Sequence, residues 1–324
     1  MTEKDFQKRI GYEGEIEPLL KEVCLSYGFG QYFSWKTLTS GYEDFNLVLE
    51  TEKGKFFVKI FATFRDLDNC LRYLKIIEEV LEAGVKHPKL LGFGGDYFFQ
   101  KKFDGVDIRL CVMEFINGES FYQSKSVPDK EELKILVREA AKINNIHLKP
   151  AFIYDSWAIT SFPKEFEKIE KFLEKEDAQL ITPLLENFAR INLDTLPHCL
   201  VHGDIIKTNV IRDKKGEIFL IDFSVSNYYP RIQELAVLLC NILFDEDKLE
   251  AFPDNYKLAL QEYQKVVSLT KEELEYLPLF VKIAHATHII GATKEREFNQ
   301  NTSEENDYWL HLGKVGLKYT SEAL

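Results

Sequence analysis

The sequence predicts an α+β protein of two lobes, a small one built on an antiparallel sheet and a larger one that is mainly helical. Three observations carry this. The first third of the chain alternates short apolar runs with turn compositions. After Asn117-Gly118 the pattern changes to long segments of helical spacing. The chain has 324 residues, too many for one small core and enough for two lobes.

The elements follow in order. A helix is expected around Ile16 to Ser26. Strands are expected at Phe33 to Thr39, Phe45 to Thr51 and Lys55 to Phe61, with Glu52-Lys53-Gly54 as the hairpin turn between the last two. Asp66 reads as the N-cap of a helix ending near Ala83 and stopped by Gly84. Its Leu67, Leu71, Leu74, Ile77 and Leu81 keep helical spacing. Two further strands are expected, Leu90 to Phe99 and Asp107 to Phe115. Helical segments at 130–148, 162–175 and 178–191 follow, then a hairpin around residues 210–221, then helices from about Gln233 onward. The predicted division is 1–116 and 117–324, with Met113 to Gly118 as the connector.

Composition narrows the function. Hydrophobic residues make up 45% of the chain and charged ones 29%, as in ordinary globular proteins. A formal net charge of -12 speaks against nucleic acid, because phosphate neutralisation needs a basic face. The five cysteines are scattered and form no C-x-x-C pair, so the spacing suggests neither a zinc site nor a disulfide framework. The first residues lack an apolar leader core, and no stretch approaches a membrane span. A reduced, cytoplasmic, soluble protein without a membrane partner is expected.

The chemistry concentrates in "VHGDIIKTNVIRDKKGEIFLIDFS", residues 201–224. Two apolar runs flank an Asp-Lys-Lys-Gly turn, so an antiparallel hairpin would bring the start of the first strand beside the end of the second. Asn209 and Asp222 then share the open end, and Asp204 lies on the loop that feeds it. Few oxygen donors, partly carboxylate, suit Mg²⁺ held jointly with substrate phosphates. Without a cation, a carboxylate about 4 Å from a phosphate charge would be repelled by roughly 4 kcal/mol at an effective dielectric near 20. The plainer alternative is a loop and hairpin with turn-forming Asp and Asn residues.

His202-Gly203-Asp204, Asn209 and Ile221-Asp222-Phe223 together resemble the catalytic and metal-binding motifs of protein-kinase-like phosphotransferases. The glycine in His-Gly-Asp resembles the aminoglycoside phosphotransferase and choline kinase branch, which acts on small molecules. The resemblance implies a protein-kinase-like bilobal fold, ATP and Mg²⁺ as cofactors, and a small-molecule alcohol as acceptor. It makes Asp204 the catalytic base, Asn209 and Asp222 the Mg²⁺ ligands and His202 a support of the loop. In "GKFFVKIF" it makes Lys59 the lysine that holds the α/β-phosphates; alone, Lys59 would read as a strand residue snorkelling outward. Ser40 and Gly41 in "LTSGYEDFN" stand at the phosphate-loop position, with a single glycine and no G-x-G-x-x-G. The backbone of Glu114 and Phe115 or Ile116 would face adenine. The carboxylate that pairs with the strand lysine has no assignment: Arg72 to Leu74 occupy the aligned place, and Glu78 and Glu79 read as solvated helix charges.

The stretch from Asp222 through Pro230 and Glu234-Leu235-Ala236, with the helices beyond, is similar to homoserine kinases of the aminoglycoside-phosphotransferase-like type. Glu234 takes the place of an aspartate that supports the catalytic loop; it also reads as a carboxylate at a helix N-terminus. Homoserine, another amino alcohol, a sugar-like alcohol and an aminocyclitol antibiotic all fit the motifs. His285 and His288 read as core or surface helix positions, or as lining of a substrate pocket, and Lys207 as an exposed loop lysine or as one that reaches the transferring phosphoryl group. Two rivals stand beside the small-molecule kinase: a catalytically inactive nucleotide-binding scaffold, and a protein kinase, for whose activation segment the interval from Phe223 to Leu235 leaves no room.

Overall fold

The computed structural model describes residues 3–38 and 43–324. Ser40 and Gly41 lie outside the described residues. The chain divides into two compact units, residues 1–118 with 211–221, and residues 119–210 with 222–324. The predicted boundary at 116/117 therefore differs in two ways: the connector reaches Gly118, and the hairpin segment 211–221 groups with the first unit.

The first unit begins with α1 (Glu3–Arg9), α2 (Ile16–Tyr27) and β1 (Tyr32–Thr37), then β2 (Phe45–Thr51) and β3 (Gly54–Ile60). It continues with α3 (Leu67–Glu82), β4 (Leu90–Leu91), β5 (Phe99–Phe103) and β6 (Val106–Glu114). The strands form one antiparallel sheet in the order β1-β2-β3-β6-β4, with β5 also on β6. Alternation decides the faces. Phe45, Leu47 and Leu49 are fully buried and share a core with Leu19, Leu20 and Val23 of α2 and with Leu110 and Val112 of β6. Asp66 caps α3 by accepting from the Asn69 N–H at 2.8 Å, and Gly84 follows its end with φ of +72°, a conformation that glycine reaches without a Cβ penalty.

One predicted strand is corrected. Leu90 to Phe99 is not continuous: β4 stops at Leu91 and β5 starts at Phe99. Gly94 and Gly95 both take positive φ, so the chain turns where the apolar run had suggested extension.

The second unit contributes β7 (Gly118–Ser120, from its second residue), α4 (Lys130–Ile143), α5 (Phe162–Ile169), α6 (Lys175–Phe188) and β8 (His198–Val201). β9 (Val210–Asp213) and β10 (Ile218–Leu220) make the hairpin, whose turn is closed by Asp213 Oδ1 accepting from the N–H groups of Lys215 and Glu217, each at 2.8 Å. The unit resumes with β11 (Asn227–Pro230), α7 (Ile232–Cys240), α8 (Phe252–Tyr263), α9 (Lys271–Asn299) and α10 (Glu304–Ala323). β8 and β11 pair antiparallel. α9 is the central element: Phe280, Val281, Ile283, Ala284, Ile289 and Ile290 are all buried, and α10, α7, α5 and α6 pack around it. A capping box starts it, Thr270 and Glu273 each accepting from the other's backbone N–H.

Candidate active site

The loop from His202 to Asn209 leaves β8 and enters β9. Its start is fixed by a buried carboxylate. Glu234, in the first turn of α7, accepts from the His202 N–H at 2.5 Å and the Gly203 N–H at 3.4 Å. Asn144 adds a third donor to Glu234 at 3.3 Å, while its other amide hydrogen bond runs to the Leu200 carbonyl. Burial pushes the Glu234 carboxyl up to about 7, against the pull of these donors. The two readings of Glu234, loop support and helix N-terminal carboxylate, describe one arrangement. Glu234→Ala is expected to lower stability by roughly 3 kcal/mol, because buried donors left without an acceptor cost about 1–3 kcal/mol each. Glu234→Gln, which keeps an acceptor oxygen, should lose less. Urea unfolding followed by circular dichroism measures both, and an unchanged midpoint in Glu234→Ala would remove Glu234 from this role.

His202 is fully buried. Its Nδ1 faces the Asp204 N–H at 3.2 Å, and its ring packs on Phe223 with centroids 4.2 Å apart. Asn209 donates to the Asp204 carbonyl at 3.1 Å and to the Asp204 carboxylate at 2.6 Å. Asp222 has φ of +65°, a left-handed conformation that costs a residue with a Cβ about 1–2 kcal/mol and that concentrates at functional sites. Its Oδ1 accepts from the N–H of Ser224 at 3.2 Å and from the Ser224 hydroxyl.

Asp204, Asn209 and Asp222 are each half-buried. Burial, then the charges of Asp155 and Asp222, and to a lesser degree Glu305, push the Asp204 carboxyl up to about 8, with the Asn209 hydrogen bond opposing. Several carboxylates thus bear on one point. The donor set is all oxygen, carboxylate and amide, in a place where negative charge is in excess, and this fits a hard divalent cation such as Mg²⁺.

Lys207 corrects the sequence reading. It is 7% exposed rather than a solvated loop lysine, its N–H donates to Asn241 Oδ1 at 2.9 Å and its Nζ to the Tyr308 hydroxyl at 2.9 Å. Tyr308 belongs to an aromatic group with Tyr122 and Trp309, at centroid separations of 5.3 Å and 4.8 Å. His285 and His288 are core residues: burial drives both imidazoles toward the neutral form, His285 well below the ordinary value and His288 to about 4.

In the first unit, Lys59 is 2% exposed. Its Nζ lies 3.0 Å from Asp44 and 5.2 Å from the centre of the Tyr73 ring. Asp44 also accepts from Arg65 Nε at 2.9 Å and from the Ala62 N–H at 3.0 Å, and Arg65 reaches Glu43 as well. Asp44 is the carboxylate that the sequence left unassigned. It comes from the residue just before β2, and the helix position where an acid was sought holds Tyr73. The Glu114 N–H bonds to the Lys89 carbonyl at 3.0 Å, and the Ile116 carbonyl accepts from the Gly118 N–H at 3.0 Å.

A profile of the phosphotransferase enzyme family matches residues 34–268. The chain belongs to that family. The homoserine kinase of Sinorhizobium medicae is 22% identical over 283 residues, which cover 84% of this chain and 82% of that protein. Among solved structures, an amicoumacin kinase in complex with AMP-PNP and Ca²⁺ has a TM-score of 0.67 at 18% identity, covering 99% of this chain and 96% of the other. A microcompartment-associated aminopropanol kinase has a TM-score of 0.70 at 13% identity, covering 94% and 97%. The fold is the protein-kinase-like one of these phosphotransferases, and the chain is a small-molecule kinase. The scaffold alternative finds no support in these relatives. No helix among the described residues is long and apolar enough to cross a membrane.

Proposed function

We propose that this phosphotransferase carries the γ-phosphoryl group of ATP to the hydroxyl of a small alcohol that also bears an ammonium group. The observation that supports the acceptor's charge is the surplus of carboxylate around Asp204. Asp222 serves the metal in this reading, which leaves the charges of Asp155 and Glu305 to face a cation. The aromatic group of Tyr122, Tyr308 and Trp309 flanks the loop through Lys207, and ring faces attract ammonium groups. Homoserine and aminopropanol, which the names of two comparison proteins give as acceptors, both combine a hydroxyl with an amine. Homoserine also carries a carboxylate, for which Lys207 is a buried cation within the same loop.

Asp204 orients the acceptor hydroxyl and takes its proton. Asn209 holds the Asp204 carboxylate in place through its amide and, with Asp222, supplies oxygen donors for Mg²⁺. That ion, when bound, neutralises phosphate charge and favours the ionised Asp204. Lys59, oriented by Asp44, binds the α/β-phosphates. Ser40 and Gly41 offer backbone N–H groups to phosphate, and the backbone around Glu114 and Ile116 meets adenine. Since the Glu114 N–H is engaged by Lys89, its share of that contact falls to its carbonyl. Most of the acceleration in such a reaction comes from positioning and charge neutralisation.

ADP release with MgATP over a panel of alcohols tests the reading. Amino alcohols, homoserine included, should exceed matched alcohols lacking the amine by at least about 10-fold in kcat/KM, the equivalent of about 1.4 kcal/mol. Asp222→Ala should abolish the metal-dependent rate. Equal rates for both alcohol classes would overturn the ammonium reading, and an unchanged rate in Asp222→Ala would overturn the metal assignment.

A further inference from the structure

Away from the catalytic loop, three metal-capable donors meet in the core of the second unit. Cys240 ends α7, and His285 and His288 lie one turn apart on α9. All three are buried, and the Cys240 sulfur and one ring nitrogen of each histidine lie within 4.8 Å of one another. Among the described residues, neither ring nitrogen of His285 has a hydrogen-bond partner, nor does Nδ1 of His288. A buried polar group left so costs about 1–3 kcal/mol, which a leucine or phenylalanine in the same place would avoid. The fold nevertheless makes room for the imidazole. A Cβ on Gly316 of α10 would lie 2.0 Å from His285 Cε1 and 2.1 Å from its Nδ1, so only glycine leaves space for that ring.

We propose that Cys240, His285 and His288 form a site for a borderline-soft divalent cation, Zn²⁺ in the first instance. One thiolate and two imidazoles are zinc-type ligands, whereas Mg²⁺ prefers oxygen, so this site is chemically separate from Asn209 and Asp222. In a tetrahedral site with zinc bonds of about 2.0–2.3 Å, donors stand roughly 3.3–3.7 Å apart. Donors that lie within 4.8 Å of one another need to close in by no more than about 1 Å, within the reach of side-chain rotation. The Cys240 thiol now donates to the Val237 carbonyl at 3.3 Å; coordination replaces that contact, and the thiol proton leaves as metal enters. The Lys207 charge reaches His288 and opposes a dication, an effect that the thiolate offsets by one unit. The three protein donors leave the fourth tetrahedral position to a ligand from outside this set. The bound ion would tie α7 to α9 beside Asn241, whose side chain anchors the Lys207 N–H. Cys240 is far in sequence from the two histidines, which is why cysteine spacing gave no sign of the site.

The test uses the full chain expressed with zinc supplementation, gel-filtered, and analysed for metal by plasma emission. A parallel sample is chelator-stripped and titrated with Co²⁺. Wild type should retain zinc in stoichiometric amount, and the Co²⁺ form should show a near-ultraviolet thiolate-to-cobalt band with the visible bands of a tetrahedral ion. Cys240→Ser should lose the charge-transfer band and weaken zinc binding by roughly 100-fold or more, since even outer-shell partners are worth about 10- to 100-fold. His288→Gln, which keeps the thiol, should weaken zinc to the same degree, and circular dichroism shows whether each variant is folded. Wild-type protein with neither zinc nor a cobalt band would overturn the proposal. So would a band that persists in folded Cys240→Ser, which would place the ion on another cysteine.

Discussion

Asp204→Asn is expected to lower kcat by on the order of 10²- to 10⁴-fold, the range over which a positioned general base acts. KM for the nucleotide should change little, because the substitution keeps size and an acceptor oxygen for the Asn209 amide, now 2.6 Å from the carboxylate. What it removes is the capacity to take the proton of the attacking hydroxyl. It also removes a carboxyl whose ionisation burial and the charges of Asp155, Asp222 and Glu305 oppose, so that folding at neutral pH no longer has to load it with a proton. The variant should therefore melt at a higher temperature than wild type in the absence of metal, as expected where activity is bought at the expense of stability. Steady-state ADP release, nucleotide titration and thermal unfolding measure the three effects. Turnover unchanged in Asp204→Asn would end the assignment of Asp204 as base, whichever alcohol is the acceptor.

What the sequence revealed depended on how local each signal was. Asp204, Asn209 and Asp222 were legible because a single loop and hairpin carry them, and hairpin geometry brings strand ends together whatever the rest of the chain does. The sheet was legible for a similar reason. β2 matches its predicted range residue for residue, since the period-2 burial of Phe45, Leu47 and Leu49 is written in the chain itself. Signals that depend on distant packing were not. Lys207 looks like any loop lysine until Tyr308, on a helix near the other end of the chain, supplies its hydroxyl. His285 and His288 have helical spacing, but only the glycine on α10 shows that the first of them is meant to be inside. The carboxylate beside Lys59 was sought on α3, where the family places it. In this chain Tyr73 fills that side with a ring, and the acid arrives from just before β2. Nothing in the spacing of Asp44 distinguishes it from Glu43, its neighbour; the difference is that Asp44 points inward, where it meets the Ala62 N–H.

That placement makes Asp44 the residue of the first unit whose loss should matter most. Asp44→Ala is expected to reduce stability by about 3–5 kcal/mol, the usual result of removing one partner from a buried ion pair. Two buried cations, Lys59 and Arg65, lose the carboxylate lying 3.0 Å and 2.9 Å from them, and the Ala62 N–H loses its acceptor. Turnover should fall as well, with KM for ATP rising, because Lys59 loses the group that orients it. The pH dependence has a definite sign. Burial alone would raise the Asp44 carboxyl, but the charges of Lys59 and Arg65 more than reverse this and hold it below the ordinary carboxylate value. A group whose pKa is depressed by folding contributes stability above its unfolded value, near 3.9. That contribution is lost as the pH falls through the lower folded value. Wild type should lose stability through this acid range more steeply than Asp44→Asn, which has no such proton to bind. Urea unfolding at neutral and acid pH measures both effects, and a shift in Asp44→Ala within about 0.5 kcal/mol of wild type, the range of an ordinary surface substitution, would show that the pair contributes nothing. Asp44→Leu combined with Lys59→Met separates structure from function. It removes the Lys59–Asp44 pair and leaves the buried Arg65 with Glu43 as its remaining carboxylate, so stability should recover part of the way toward wild type, while phosphate binding and turnover should stay lost because the lysine itself is gone.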